Sequence, residues 1–179
     1  MRGLIIFALG VGVGAGFAGS NAFASDTSPL KDAHCLAMNM YHEAKWEPIE
    51  GKIAVSYVVM NRVRSDMFPD SVCDVIFQGP RITSWKNKNV QIPVKNMCQF
   101  SWYCDGKSDK PKDLAKYKEC FKIATKVLSE YGTDKENDPT NGSFWYHADY
   151  VDPDWNDIYY EEVTIGRHIF YSKNGRKTP

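Results

Sequence analysis

The segment from Ile49 to Val63 constrains this chain more than any other. Ile53, Ala54, Val55, Tyr57, Val58, Val59, Met60 and Val63 leave it apolar almost all the way round. Such a run is a buried helix or a buried strand, and its length favours a helix at the centre of a core. A helix without a solvent face needs other elements packed on every side.

Two amphipathic segments can supply that cover. In 32–45, Ala33, Leu36, Ala37, Met40, Tyr41 and Ala44 recur with helical spacing, Asp32 is a candidate N-cap, and Trp46-Glu47-Pro48 ends the helix. In 112–131, Leu114, Tyr117, Phe121, Ala124, Leu128 and Tyr131 form one stripe, and Gly132 is a C-terminal stop. A short helix is predicted through Val72, Val75 and Ile76 after the turn at 68–71. Residues 79–112, broken by Gly79-Pro80, Pro93, Gly106 and Pro111, read as irregular. Ser143–Tyr150 and Val163–Tyr171 carry the β-branched and aromatic residues of strands. Helices first and strands last predict an α+β fold, mostly helical, with a small antiparallel sheet from the C-terminal part.

Residues 1–24 read as a signal peptide. Arg2 is followed by an apolar Gly/Ala-rich run, and Ala22-Phe23-Ala24 has the small-x-small pattern of a cleavage site. An uncleaved or releasable anchor is the alternative. Residues 25–31 form a short leader, and 32–179 a single domain. Without residues 1–24, 21 basic and 22 acidic residues remain. That balance speaks against nucleic acid as a partner, and no second run is long enough to span a bilayer. The neutral sum hides a split. Between Arg81 and Lys122 ten Lys/Arg face four acids, whereas 134–162 holds nine acids and one Lys. The split reads as two solvated faces or as a polar groove with a basic wall.

Cys35, Cys73, Cys98, Cys104 and Cys120 are disulfide candidates in an exported chain. Cys98–Cys104 and Cys73–Cys98 are both open by spacing, and the odd count leaves one thiol free or paired between molecules. A zinc reading is weak, for no C-x2-C pair occurs and no H-x3-5-H accompanies the cysteines. His42-Glu43 is not followed by the second histidine of H-E-x-x-H, and nucleophile-elbow, phosphate-loop and dinucleotide motifs are absent. Glu43 is the carboxylate that stands out. At 100° per residue it lies about 90° from the centre of the apolar face, at its edge, with His42 turned to solvent. A half-desolvated carboxyl holds its proton to higher pH and can act as a general acid.

The blocks Met40-Tyr41-His42-Glu43-Ala44-Lys45-Trp46-Glu47-Pro48, Gly51-Lys52-Ile53-Ala54-Val55 and Val58-Val59-Met60-Asn61-Arg62-Val63 resemble the SleB/CwlJ-type cell wall hydrolase family, the spore-cortex-lytic enzymes and their relatives. So do Phe68-Pro69 with Val72-Cys73-Asp74-Val75, Cys98-Gln99-Phe100-Ser101-Trp102, Tyr146-His147-Ala148, Pro153 with Trp155, and Ile165-Gly166-Arg167-His168-Ile169-Phe170-Tyr171. The blocks keep the family's order over nearly the whole chain after residue 32. The resemblance implies a lysozyme/lytic-transglycosylase-like fold, cleavage of peptidoglycan glycan strands, and Glu43 as the catalytic acid.

Glycoside hydrolysis ordinarily takes two carboxylates. No block marks a second one; Glu47, Glu50, Asp149, Asp152 and Asp154 are near in sequence only. The expectation is therefore cleavage between N-acetylmuramic acid and N-acetylglucosamine by lytic transglycosylation, with Glu43 as sole acid and base. Substrate contacts are expected from Gln99, Ser101, Trp102, Tyr146, His147 and Trp155. His168 is expected to be structural, and Gly166 to serve a bend or close approach. No metal or cofactor is expected. The partner is the glycan strand, with the membrane touched only through the signal segment, and the protein is a monomer, periplasmic or extracellular. Competing readings are a hydrolytic muramidase or glucosaminidase, a cell-wall peptidase using Cys98 or Cys104 with His147 or His168, and a non-catalytic peptidoglycan binder.

Overall fold

A computed structural model describes residues 29–173; the segment read as a signal peptide and most of the expected leader lie outside them. Helix α1 spans Pro29–Ala44, α2 Ile49–Arg64, α3 Val72–Ile76 and α4 Leu114–Glu130. Strands β1 (Arg81–Thr83) and β2 (Gln91–Pro93) form a hairpin; β3 (Trp145–Ala148), β4 (Tyr160–Ile165) and β5 (His168–Ser172) form an antiparallel sheet in the order β3-β5-β4. The result is a mostly helical α+β fold, and no helix among the described residues is long and apolar enough to cross a membrane.

The segment that is apolar almost all round is indeed the central helix. In α2, Ala54, Val55, Val58 and Val59 are wholly buried. Leu36 and Met40 of α1 and Val75 and Ile76 of α3 join one cluster with Tyr57 and Val59, while Ala54, Val55 and Val58 meet Phe170 of β5 in a second. The two faces of α2 thus weld the helices to the sheet, each large buried apolar side chain contributing roughly 1.5–3 kcal/mol. Asp113 caps α4 by accepting from the Lys116 backbone N–H at 3.0 Å.

Helix α1 starts at Pro29, before the expected cap Asp32, which instead sits in the first turn. Proline suits a first helical position because its missing N–H has no intrahelical partner there anyway. The Val163–Tyr171 run is two strands, not one. Gly166 and Arg167 turn the chain between Ile165 and His168, and Gly166 takes φ +59°, as the first residue of a two-residue hairpin turn often requires. Gly166 also lies against Glu47, whose Oε2 accepts from the Arg167 N–H at 2.9 Å. The α1–α2 connection therefore clasps the β4–β5 turn.

Cys35 pairs with Cys73 and Cys98 with Cys104, which overturns the Cys73–Cys98 alternative; Cys120 is a buried free thiol. The first bridge ties α1 to α3 across 38 residues.

Candidate active site

Glu43, Arg62, Gln99, Phe100, Ser101, Trp145, Tyr146 and Trp155 line one cleft of about 230 Å³. They are delivered by a few local devices. Glu43 comes from the last turn of α1, at the edge of its buried face. Gln99 and Ser101 follow Cys98, where the disulfide to Cys104 pins the loop and the Gln99 N–H donates to the Gln78 carbonyl at 3.0 Å.

The wall formed by β3 is hung from α2. Asn61 Nδ2 donates to Asp138 Oδ2 at 2.9 Å, Thr140 Oγ1 at 3.3 Å and the Ser143 carbonyl at 3.1 Å. Asp138 in turn accepts from the Thr140 and Gly142 backbone N–H groups, both at 2.8 Å. Next in sequence, Arg62 Nε donates to the Phe144 carbonyl at 2.8 Å and Nη1 to Gln99 Oε1 at 3.3 Å. Two consecutive α2 side chains thus fix the segment that presents Trp145 and Tyr146. They also fix Gln99: with its Oε1 engaged by Arg62, the amide NH2 is the end left for a ligand.

Burial raises the Glu43 carboxyl above the usual carboxylate range, and the hydrogen bond donated by the Tyr146 hydroxyl at 3.3 Å pulls back part of that shift. Burial, followed by the Glu43 charge, pushes the Tyr146 phenol well up, so it stays a donor. Arg62 is 5% exposed, and burial lowers its guanidinium to about 10. It remains charged at neutral pH, flanked by the rings of Phe68 and Phe100 at 5.1 and 5.5 Å.

Glu43 also borders a second hollow of about 190 Å³, which includes Trp46, Glu47, Tyr150, Arg167 and His168. Trp46 and Tyr150 are 75% and 74% exposed there. The acid therefore stands on a wall shared by two hollows, with aromatic faces in each. None of Glu50, Asp149, Asp152 and Asp154 lines either hollow. Glu47 lines the second, but its Oε2 is held by the Arg167 N–H.

Among the sequence-predicted site residues, Glu43, Gln99, Ser101, Tyr146 and Trp155 are brought together, whereas Trp102 and His147 are not. Trp102 is buried; its indole N–H donates to Asn39 Oδ1 at 3.0 Å, and its ring stacks on His42 at 4.5 Å. His42 is correspondingly not turned to solvent. Its Nε2 lies 3.0 Å from the Asp109 carbonyl, and the following Lys112 and Asp113 N–H groups donate to the Tyr41 hydroxyl, so the loop before α4 folds over this end of α1. His147 is held between the Tyr171 hydroxyl and the Ala148 carbonyl, both at 2.9 Å, with its ring edge-on to Trp155. It supports Trp155 from behind.

His168 is buried, its ring 5.1 Å from Tyr146 and nearly perpendicular to it, and burial lowers its pKa. It packs under the tyrosine and also lines the second hollow. Arg62, Trp145, Trp46 and Tyr150 were not singled out by the sequence. Arg62 carries the one available signal, a charge next to Asn61 inside the apolar run. Cys98 and Cys104 are joined to each other, so the peptidase reading has no thiolate there; the remaining thiol, Cys120, is wholly buried and pushed up to about 11 by burial.

Residues 46–171 match the Cell Wall Hydrolase family, a match that begins just past Glu43. The spore cortex-lytic enzyme of Bacillus subtilis (strain 168) is 47% identical over 53 residues, 30% of this chain and 17% of that protein. That of Bacillus cereus (strain ATCC 14579) is 26% identical over 140 residues, 78% of this chain and 43% of that one. The chain thus spans less than half the length of the curated relatives it matches. Two solved structures share the fold. The catalytic domain of the Bacillus cereus SleB protein superposes with a TM-score of 0.56 at 26% identity, over 86% of this chain and 99% of that one. The catalytic domain of the germination-specific lytic transglycosylase SleB from Bacillus anthracis gives 0.55 at 26% identity, over 83% and 98%.

Proposed function

Because the chain belongs to the Cell Wall Hydrolase family, we propose that it cuts the glycan strands of peptidoglycan between N-acetylmuramic acid and N-acetylglucosamine, by lytic transglycosylation. The observation that carries this reading is the lone carboxyl of the cleft. Among the described residues lining the Arg62 hollow, Glu43 is the single acid. A two-carboxylate hydrolase would need a second acid across the scissile bond.

In the first step Glu43, whose hold on its proton burial strengthens, gives that proton to the glycosidic oxygen as the C1–O bond breaks. The electron pair leaves with N-acetylglucosamine as its 4-hydroxyl. The Glu43 carboxylate, steadied by the Tyr146 O–H, then takes the proton of the muramic acid 6-hydroxyl while O6 bonds to its own C1. This closes a 1,6-anhydro ring, and Glu43 ends protonated as it began. Both partners belong to one sugar, so no water need be positioned and the attack gains from proximity.

Gln99 and Ser101 donate to sugar hydroxyl or acetamido oxygens, and Trp145, Trp155, Trp46 and Tyr150 offer ring faces on the two sides of the acid. The enzyme acts as a monomer outside the cytoplasmic membrane, in the periplasm or beyond, where its substrate lies, with residues 1–24 as its export signal.

The test is digestion of purified peptidoglycan with wild type and Glu43→Gln, followed by mass analysis of the muropeptides. Anhydro ends, one water lighter than reducing ends, are expected from wild type alone. Reducing ends would assign hydrolysis instead, and equal products from the mutant would remove Glu43 from the reaction.

A further inference from the structure

Arg62 is the feature that the reaction above leaves unused. It is a cation on the cleft wall with no carboxylate within ion-pair distance among the described residues. Its two anchors, the Phe144 carbonyl on Nε and Gln99 Oε1 on Nη1, are neutral acceptors. Phe68 and Phe100 flank it. A charge this deep is costly unless a counter-charge arrives. Structural arginines in such places ordinarily come with their acid, whereas this one comes only with orientation, which leaves N–H donors for whatever enters the cleft.

We propose that Arg62 is a binding site for the free lactyl carboxylate of N-acetylmuramic acid, and that the preferred substrate is glycan stripped of its stem peptides. The inference rests on the proposed glycan-cleaving function. N-acetylglucosamine carries no charge, and muramic acid carries one ionisable group, the carboxyl of the ether-linked lactate at O3. In peptide-bearing strands that carboxyl is an amide and offers only a neutral carbonyl oxygen. Once freed it is an anion whose planar pair of oxygens matches the guanidinium fork. The reaction that must precede this one is therefore an amidase step. Water adds across the bond between lactate and the first amino acid, the C–N bond breaks, and a lactyl carboxylate and a free amine result. Placing that carboxylate at Arg62 also sets the muramic ring on the Arg62 side of Glu43.

The test uses one preparation of peptide-free strands in two forms, with lactyl carboxylates free and with the same groups coupled to methylamine. Wild type is expected to cleave the free form with a kcat/KM at least about tenfold higher, the scale of one charge-assisted hydrogen bond. In Arg62→Met that ratio falls to about 1, while Arg62→Lys keeps part of it. Equal rates on the two forms by wild type would overturn the proposal, whether or not Arg62→Met folds. Affinity of Glu43→Gln for the two forms separates this inference from the reaction it rests on. A preference in binding without cleavage by wild type would keep Arg62 and discard the reaction; cleavage without preference would do the reverse.

Discussion

The Tyr146 hydroxyl donates to Glu43 Oε2 at 3.3 Å across 103 residues of chain, joining the end of α1 to β3. The bond favours the ionised carboxylate and so works against the burial that raises Glu43. In Tyr146→Phe the carboxyl rises further. The alkaline limb of the pH–rate profile, where Glu43 loses its proton, is expected to move to higher pH while kcat falls about tenfold or more through lost orientation. A limb that stays in place would mean that the phenol does not touch the acid in the working enzyme.

Glu43 also burdens the fold in a pH-dependent way. Its folded pKa lies above its unfolded value, so below the unfolded pKa both states hold the proton and there is no penalty. As pH rises through the folded pKa, the unfolded state ionises more easily and stability is lost. Glu43→Gln removes the titration. Its melting temperature should match wild type in acid and exceed it at pH 8. An equal or lower melting temperature at pH 8 would contradict a desolvated Glu43.

Glu47 and Gly166 form a pair that a double-mutant cycle can read. Gly166→Ala meets both the positive φ and the Glu47 carboxylate, and should cost ~2 kcal/mol. Glu47→Ala removes the bond to the Arg167 N–H, ~1 kcal/mol. In the double mutant the steric part vanishes, so urea denaturation should show a total well below the sum. Strict additivity would separate the two residues.

The bridges differ by loop length. Closing 38 residues in the unfolded chain makes Cys35–Cys73 worth about 4 kcal/mol in the chain-entropy view, and six residues make Cys98–Cys104 worth about 2 kcal/mol. Cys35→Ser/Cys73→Ser should lower the denaturant midpoint more. Cys98→Ser/Cys104→Ser should lose more activity per unit of stability, because the loop it frees carries Gln99 and Ser101.

The helices were legible because burial on one face repeats every 3.6 residues, and α2 announces itself by a run that is apolar almost all the way round. The β1–β2 hairpin was not, since strands of three mostly exposed residues carry no readable alternation. The β4–β5 pair read as one strand because its turn is two residues long. Glu43 was placed by its angle on α1 together with the family resemblance. His42 and Trp102 were misplaced for a common reason: the loop before α4 covers one with the other, a long-range contact that helical periodicity does not encode. Arg62 looked like an ordinary cation in the last turn of a helix. Its burial is made by Phe68, Phe100 and the segment held by Asn61, none of them near it in sequence.

With the acid on a wall shared by two hollows, a bound strand can lie on both sides of the acid and need not be entered from its tip. It can be seized anywhere along its length, and it must lie in one direction, since the two sides of Glu43 are lined differently. Early digests should hold long fragments of scattered size, not a ladder of disaccharides.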